Sequence, residues 1–245
     1  MVSVYAGLLC IAVAYAADPI PTASTPTAAV IAMLQNPSVS HRQRAADELG
    51  RRTNDAEIST APLTAALHDL HPNVRGASVS ALARLNAHET ARHIIALDMH
   101  ETHPAVRNRI LGALTTFAPN SPEAMDRILF FVRGGHRSKV LPPTTNSRRI
   151  DACKALTQTG PTAAAAIPIL IRNIQLCAPK LDSSMFLFEA STSALAAVGH
   201  GNPKAVAAIR HYHTRPILLK GGKHAVERAR LVLDSAVKHL DQTEP

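Results

Sequence analysis

Residues 67–85 read LHDLHPNVRGASVSALARL. An apolar turn runs into His71-Pro72, and Val74-Arg75 then opens a second apolar stretch rich in Ala, Ser and Gly. Proline breaks a helix interior but fits a first turn, where its missing N–H costs nothing. The stretch therefore predicts the end of one helix, a tight turn and the start of another. The small residues predict that whatever packs on the second helix comes close.

Variants of this stretch recur on both sides. Aligned on an Arg six residues before a small-Leu pair, the copies begin at Arg42, Arg75, Arg107 and Arg149. A fifth has Phe188 in the Arg position, and a degenerate sixth begins at Arg230. The first copy has Glu48 where the others have Ala. Successive anchors lie 33, 32, 42, 39 and 42 residues apart, a range that belongs to helical repeat arrays. Upstream of each anchor, apolar residues recur at helical spacing over 28–34, 58–67, 90–97, 122–132, 163–174 and 204–212. No segment alternates with period two, so no sheet is predicted. The expected fold is all-α: a right-handed α-α superhelix of about six helical hairpins over residues 27–240, with 241–245 as a tail.

Composition agrees. Hydrophobic residues make up 46% of the 245, but aromatics only 3%, with no Trp. A core without large rings suits thin layers of closely packed helices. The net charge of +8 and pI near 9.9 favour anionic partners without choosing among them.

The second and third copies share a pattern, His71-Pro72-Asn73-Val74-Arg75 and His103-Pro104-Ala105-Val106-Arg107, each with an acid, Asp69 or Glu101, six positions before the Arg. This resembles the HEAT repeat, especially the short HEAT-like type also found in phycobilisome lyases. The resemblance implies that Asp69, Arg75, Glu101 and Arg107, with Arg42 and Arg149 at equivalent positions, form a ladder between adjacent hairpins and are structural. With Phe188 in the fifth copy, and no acid among 139–147, the ladder is expected to break in the C-terminal half.

Val2 to Ala17 is apolar, uncharged and too short to span a membrane. It ends in Ala14-Tyr15-Ala16, a small-x-small cleavage pattern. Residues 1–17 are expected to be a signal peptide and 18–26 a Pro/Thr-rich leader, placing the protein in the periplasm or outside the cell. Cys153 and Cys177 would then meet an oxidising compartment. Two buried thiols and a disulfide both remain open.

Two segments stand out against the repeat. Residues 134–147 are a long basic insertion with His136, Arg137 and Lys139, followed by Arg148 and Arg149. Residues 204–230 carry seven Lys/Arg against one acid, including Lys220 and Lys223. These seven named residues are the candidate contacts for an anionic partner. His211 and His213, two apart, diverge too far on a helix to share a metal. No catalytic pattern, cofactor motif or metal motif is read from the chain, so no catalytic, cofactor-binding or metal residue is expected.

The expected function is a non-enzymatic, exported interaction module or scaffold whose partner is a protein, acidic by charge complementarity. Two alternatives are carried. One is a basic solenoid on nucleic acid or another polyanion, like the HEAT-like DNA glycosylases, against which the lack of Trp and the export signal both argue. The other is a lyase-type HEAT protein. The oligomeric state is not legible.

Overall fold

The computed structural model describes residues 21–135 and 146–242. The expected signal peptide, most of the tail, and His136, Arg137 and Lys139 lie outside the described residues.

Twelve α-helices pair into six hairpins among the described residues. They are α1 (Thr27–Ala32) with α2 (Val39–Leu49), α3 (Ala56–Ala65) with α4 (Pro72–Arg84), and α5 (Ala91–His100) with α6 (Pro104–Phe117). Then come α7 (Pro122–Arg133) with α8 (Asn146–Thr159), α9 (Ile167–Cys177) with α10 (Leu181–Val198), and α11 (Pro203–Thr214) with α12 (Lys223–Asp241). No strand occurs among the described residues.

The helix starts follow from local chemistry. Proline is the first helical residue of α4, α6, α7 and α11. The preceding residue often caps: His71 Nδ1 accepts from the Asn73 amide at 3.2 Å, Ser121 Oγ from Ala124 at 3.2 Å, and Asn202 from Lys204 at 3.0 Å. The expected helix from residue 163 instead begins as a 3-10 segment, Gly160–Ala166, and α9 starts at Ile167. Ala163 has non-helical angles, and Pro161 and Pro168 remove two amide donors there.

The second helix of each hairpin packs on the next, in the order α2, α4, α6, α8, α10, α12. First helices touch one another less, so the array closes more tightly on its second layer, the inside of the curve. Ala45, Ala46, Ala77, Ala81, Ala113, Ala152 and Ala155 are all buried in this stack. At Gly50 a Cβ would lie 2.6 Å from the Ala81 Cα. That contact admits no side chain. The junction between α6 and α8 is the narrowest in the second layer.

The described end of the leader is bonded to the first hairpin. Arg52 donates to the carbonyls of Thr22 (2.8 Å) and Thr25 (2.7 Å) and to Thr27 Oγ1 (2.9 Å), and pairs with Glu48 at 3.1 Å. Thr27 Oγ1 donates to Asp55 at 2.5 Å. Residues 22–27 are thus bound to the first hairpin as its cap, and Glu48 replaces the repeat's Ala because it holds the arginine that does this. Arg52→Ala is expected to cost about 2 kcal/mol in urea unfolding, since it leaves buried Glu48 with only the longer Arg51 contact at 3.3 Å and frees the cap. A change under about 0.5 kcal/mol would show the cap adds nothing.

Candidate functional site

The repeat arginines and the acids of the following hairpins make a ladder of graded character. Arg42 grips Asp69 with two bonds, Nε–Oδ2 at 2.7 Å and Nη2–Oδ1 at 3.0 Å. Its Nη1 donates to the carbonyls of Asn36 (2.9 Å) and Pro37 (3.1 Å), closing its own hairpin. Arg75 repeats this with Glu101 at 2.7 and 3.0 Å and with the carbonyls of Asp69 and Leu70, both at 3.0 Å. Each acid also accepts backbone amides: Asp69 from His71 (2.8 Å), Glu101 from Thr102 (3.0 Å) and His103 (2.8 Å). Burial alone would raise both carboxyls. The arginine bonds, the amides and the neighbouring positive charge hold both below the ordinary carboxylate range.

The third position breaks the series. The Arg107 side chain, half-buried, makes no hydrogen bond or ion pair among the described residues. At the fourth, Arg149 Nη2 donates to Asn173 Oδ1 at 2.8 Å, and Asn173 Nδ2 donates to the Val132 carbonyl at 3.1 Å. An amide there replaces the acid, which the sequence reading missed because it looked for a carboxylate. At the fifth, Phe188 is fully buried and the contact is apolar.

Beside the break lies a charge cluster that the sequence reading also missed. Asp98 of α5, 3% exposed, pairs with Arg127 of α7 and Arg148 of α8. The Arg127 guanidinium lies 4.7 Å from the Phe130 ring centre and 4.9 Å from that of Phe131, and Arg148 lies 4.1 Å from Phe131. Burial pushes the Arg148 guanidinium below its usual value, and Asp98 opposes this. The available signal was Asp98 itself, one turn after Ile94 on the buried stripe of α5.

The candidate contact set therefore divides. Arg148 and Arg149 are corrected: both turn inward, Arg148 to Asp98 and Arg149 to Asn173, so neither guanidinium is a surface contact. Lys220 and Lys223 are exposed on the link into α12. That link is held by Lys220 backbone bonds to Ala178 and Leu181 and by Asp182 at the Gly222 amide. The structure does not gather the set into one patch. Cys153 and Cys177 are both buried free thiols. Desolvation pushes Cys153 to about 11, and raises Cys177. Iodoacetamide at pH 8 is expected to leave both unmodified in the folded chain and to label both in denaturant, as mass spectrometry of the peptides would show.

Two grooves open on the second layer. One runs between α6 and α8, with a part of about 120 Å³ beside Arg107, Ser147 and Asp151, and a part of about 290 Å³ beside Gly112, Thr115 and Lys154. The other, about 450 Å³, lies between α10 and α12 over Ala196, Ala197 and Ala236. At its side the exposed Phe186 ring carries Arg228 at 5.0 Å, itself paired with Glu189 at 2.6 Å.

Residues 27–115 match the family model for HEAT repeats. That stretch spans the first three hairpins. The match ends within α6, where the charged ladder also ends. Among solved structures, an engineered protein superposes with a TM-score of 0.50 at 16% identity, covering 89% of this chain and 97% of its own. A designed armadillo repeat protein in complex with the peptide (KR)4 gives 0.50 at 15%, covering 86% and 98%. These likenesses show the fold alone, an α-solenoid over nearly the whole chain. No curated protein matches the chain.

Proposed function

We propose that this HEAT solenoid is an exported, non-enzymatic binding module that holds an extended segment of another protein along its second-helix layer. The observation that carries the reading is the open groove between α6 and α8, where the ladder fails and the layer is least closed. Solenoids bind through such extended inner surfaces. The designed armadillo protein of similar fold holds a basic peptide; this chain, at +8, calls for the opposite sign in its partner.

The test blocks the groove. A Cβ added at Gly112 meets no atom within 4 Å, so Gly112→Trp fills the groove without disturbing the core. Wild-type protein is expected to retain a partner from the envelope fraction that Gly112→Trp loses, while Arg92→Trp, on the exposed side of α5, keeps it. Equal retention by Gly112→Trp would refute the reading. Export is tested separately by N-terminal sequencing of protein from fractionated cells. A start near Ala17 outside the cytoplasm supports it, and an intact Met1 in the cytoplasm refutes it.

A further inference from the structure

We infer that Arg107 is the anchor of the α6/α8 groove, gripping a carboxylate that an Asp or Glu side chain of the bound segment supplies. This rests on the groove being the binding surface.

The argument starts from register. Arg75 and Arg107 each stand three residues after the proline that opens their helix. Arg42 and Arg75 show what an arginine at this place does: Nε and Nη2 close as a fork on one carboxylate across the junction. Such bidentate pairs are the strong, directional form of the contact. Arg107 has the same place and no such acid. Residues 134–147, from the end of α7 into the start of α8, contain no Asp or Glu at all. Asp151 lines the groove but does not come within ion-pair distance of Arg107 among the described contacts. Nor can Asp98 serve, because its two oxygens are already taken by Arg127 and Arg148.

The surroundings raise the demand for an anion. Arg107, Arg127 and Arg148 are close enough for the first two to act electrostatically on the third, and the buried Asp98 carboxylate pairs with only the latter two. The Arg107 end of the groove, about 120 Å³, has room for a carboxylate-bearing side chain. It continues into the wider part past Leu111, Gly112 and Lys154, with Asn108, Leu111 and Asp151 common to both. Lys154 is exposed there and offers a second cation. An extended acidic segment fits this order: one carboxylate at Arg107, backbone over Gly112, a further acid toward Lys154.

The test uses full-length chain and two fluorescein-labelled peptides, (Gly-Glu)4 and (Gly-Gln)4, read by anisotropy. Wild type is expected to bind the Glu peptide more tightly than the Gln peptide. Arg107→Gln is expected to weaken the Glu peptide by about tenfold or more and leave the Gln peptide unchanged. Arg107→Lys, which keeps the charge and loses the fork, should fall between. Arg109→Gln, exposed on the same helix, should stay within about twofold of wild type, as expected for a rim charge. Thermal melts of the variants verify that each is folded. The inference is overturned if wild type does not prefer the Glu peptide, or if Arg107→Gln binds it as wild type does. If Gly112→Trp loses the native partner while Arg107→Gln keeps it, the groove reading stands and the carboxylate anchor falls.

Discussion

Asp98→Ala is expected to destabilise the array by about 3–5 kcal/mol, the largest single effect foreseen, because it removes the buried carboxylate that Arg127 and Arg148 share. Its carboxylate lies at the meeting point of α5, α7 and α8. These helices flank the junction where α6 and α8 touch least. Solenoid stability is roughly a sum of units and nearest-neighbour interfaces, so this pair of bonds compensates for a thin interface. Hydrogen exchange should show the loss concentrated in α5 to α8, with α10 and α12 less affected. Adding Arg127→Met and Arg148→Met to Asp98→Ala should recover most of the stability, since apolar groups need no counterion there. A cost below about 1 kcal/mol for Asp98→Ala would mean the cluster is solvated, against the burial described.

The second large effect is at the ladder. Arg75→Ala should cost about 3 kcal/mol, because Glu101, whose side chain is 1% exposed, keeps only its backbone amides. Arg107→Ala, at the equivalent place without an acid, should change stability by less than about 0.5 kcal/mol. The contrast also has a pH signature. Folding lowers the pKa of Asp69 and Glu101 from ordinary values of 3.8 and 4.5. A lowered carboxyl contributes stability above its unfolded pKa and loses it as pH falls through the folded one. Stability from these rungs should therefore be full near neutrality and decline below about pH 4.5. Glu101→Gln should be less stable at pH 7 and show a shallower decline in urea unfolding between pH 7 and 3.

Much of the fold is legible in the residues because one repeat unit repeats its chemistry. His-Pro at 71–72 and 103–104 sets a helix start, an Arg three residues later reaches the next hairpin, and Ala at 77, 81 and 113 lets the helices close. What escapes is chemistry between elements that share no motif. Asp98 finds Arg127 and Arg148 at separations of 29 and 50 residues, through packing that no local pattern encodes. Arg148-Arg149 looks like a basic surface pair beside a basic loop. Yet neighbours on a helix point about 100° apart, and here one turns to α5 and α7 and the other to α9. Asn173 escaped because an amide takes a rung where an acid was sought. The open groove is legible only in hindsight: Gly112 and the acid-free segment 134–147 are in the sequence, but their consequence needs the α6/α8 junction in view.

The central claim, that the second-helix layer at α6 and α8 is where this solenoid meets an acidic partner, is tested most directly by hydrogen–deuterium exchange of the full chain with and without saturating (Gly-Glu)4 peptide. The account predicts added protection in Pro104–Phe117 and Asn146–Thr159 and none in Ala91–His100 or Pro122–Arg133. Protection confined to the first-layer helices, or no change at α6 and α8, would contradict it.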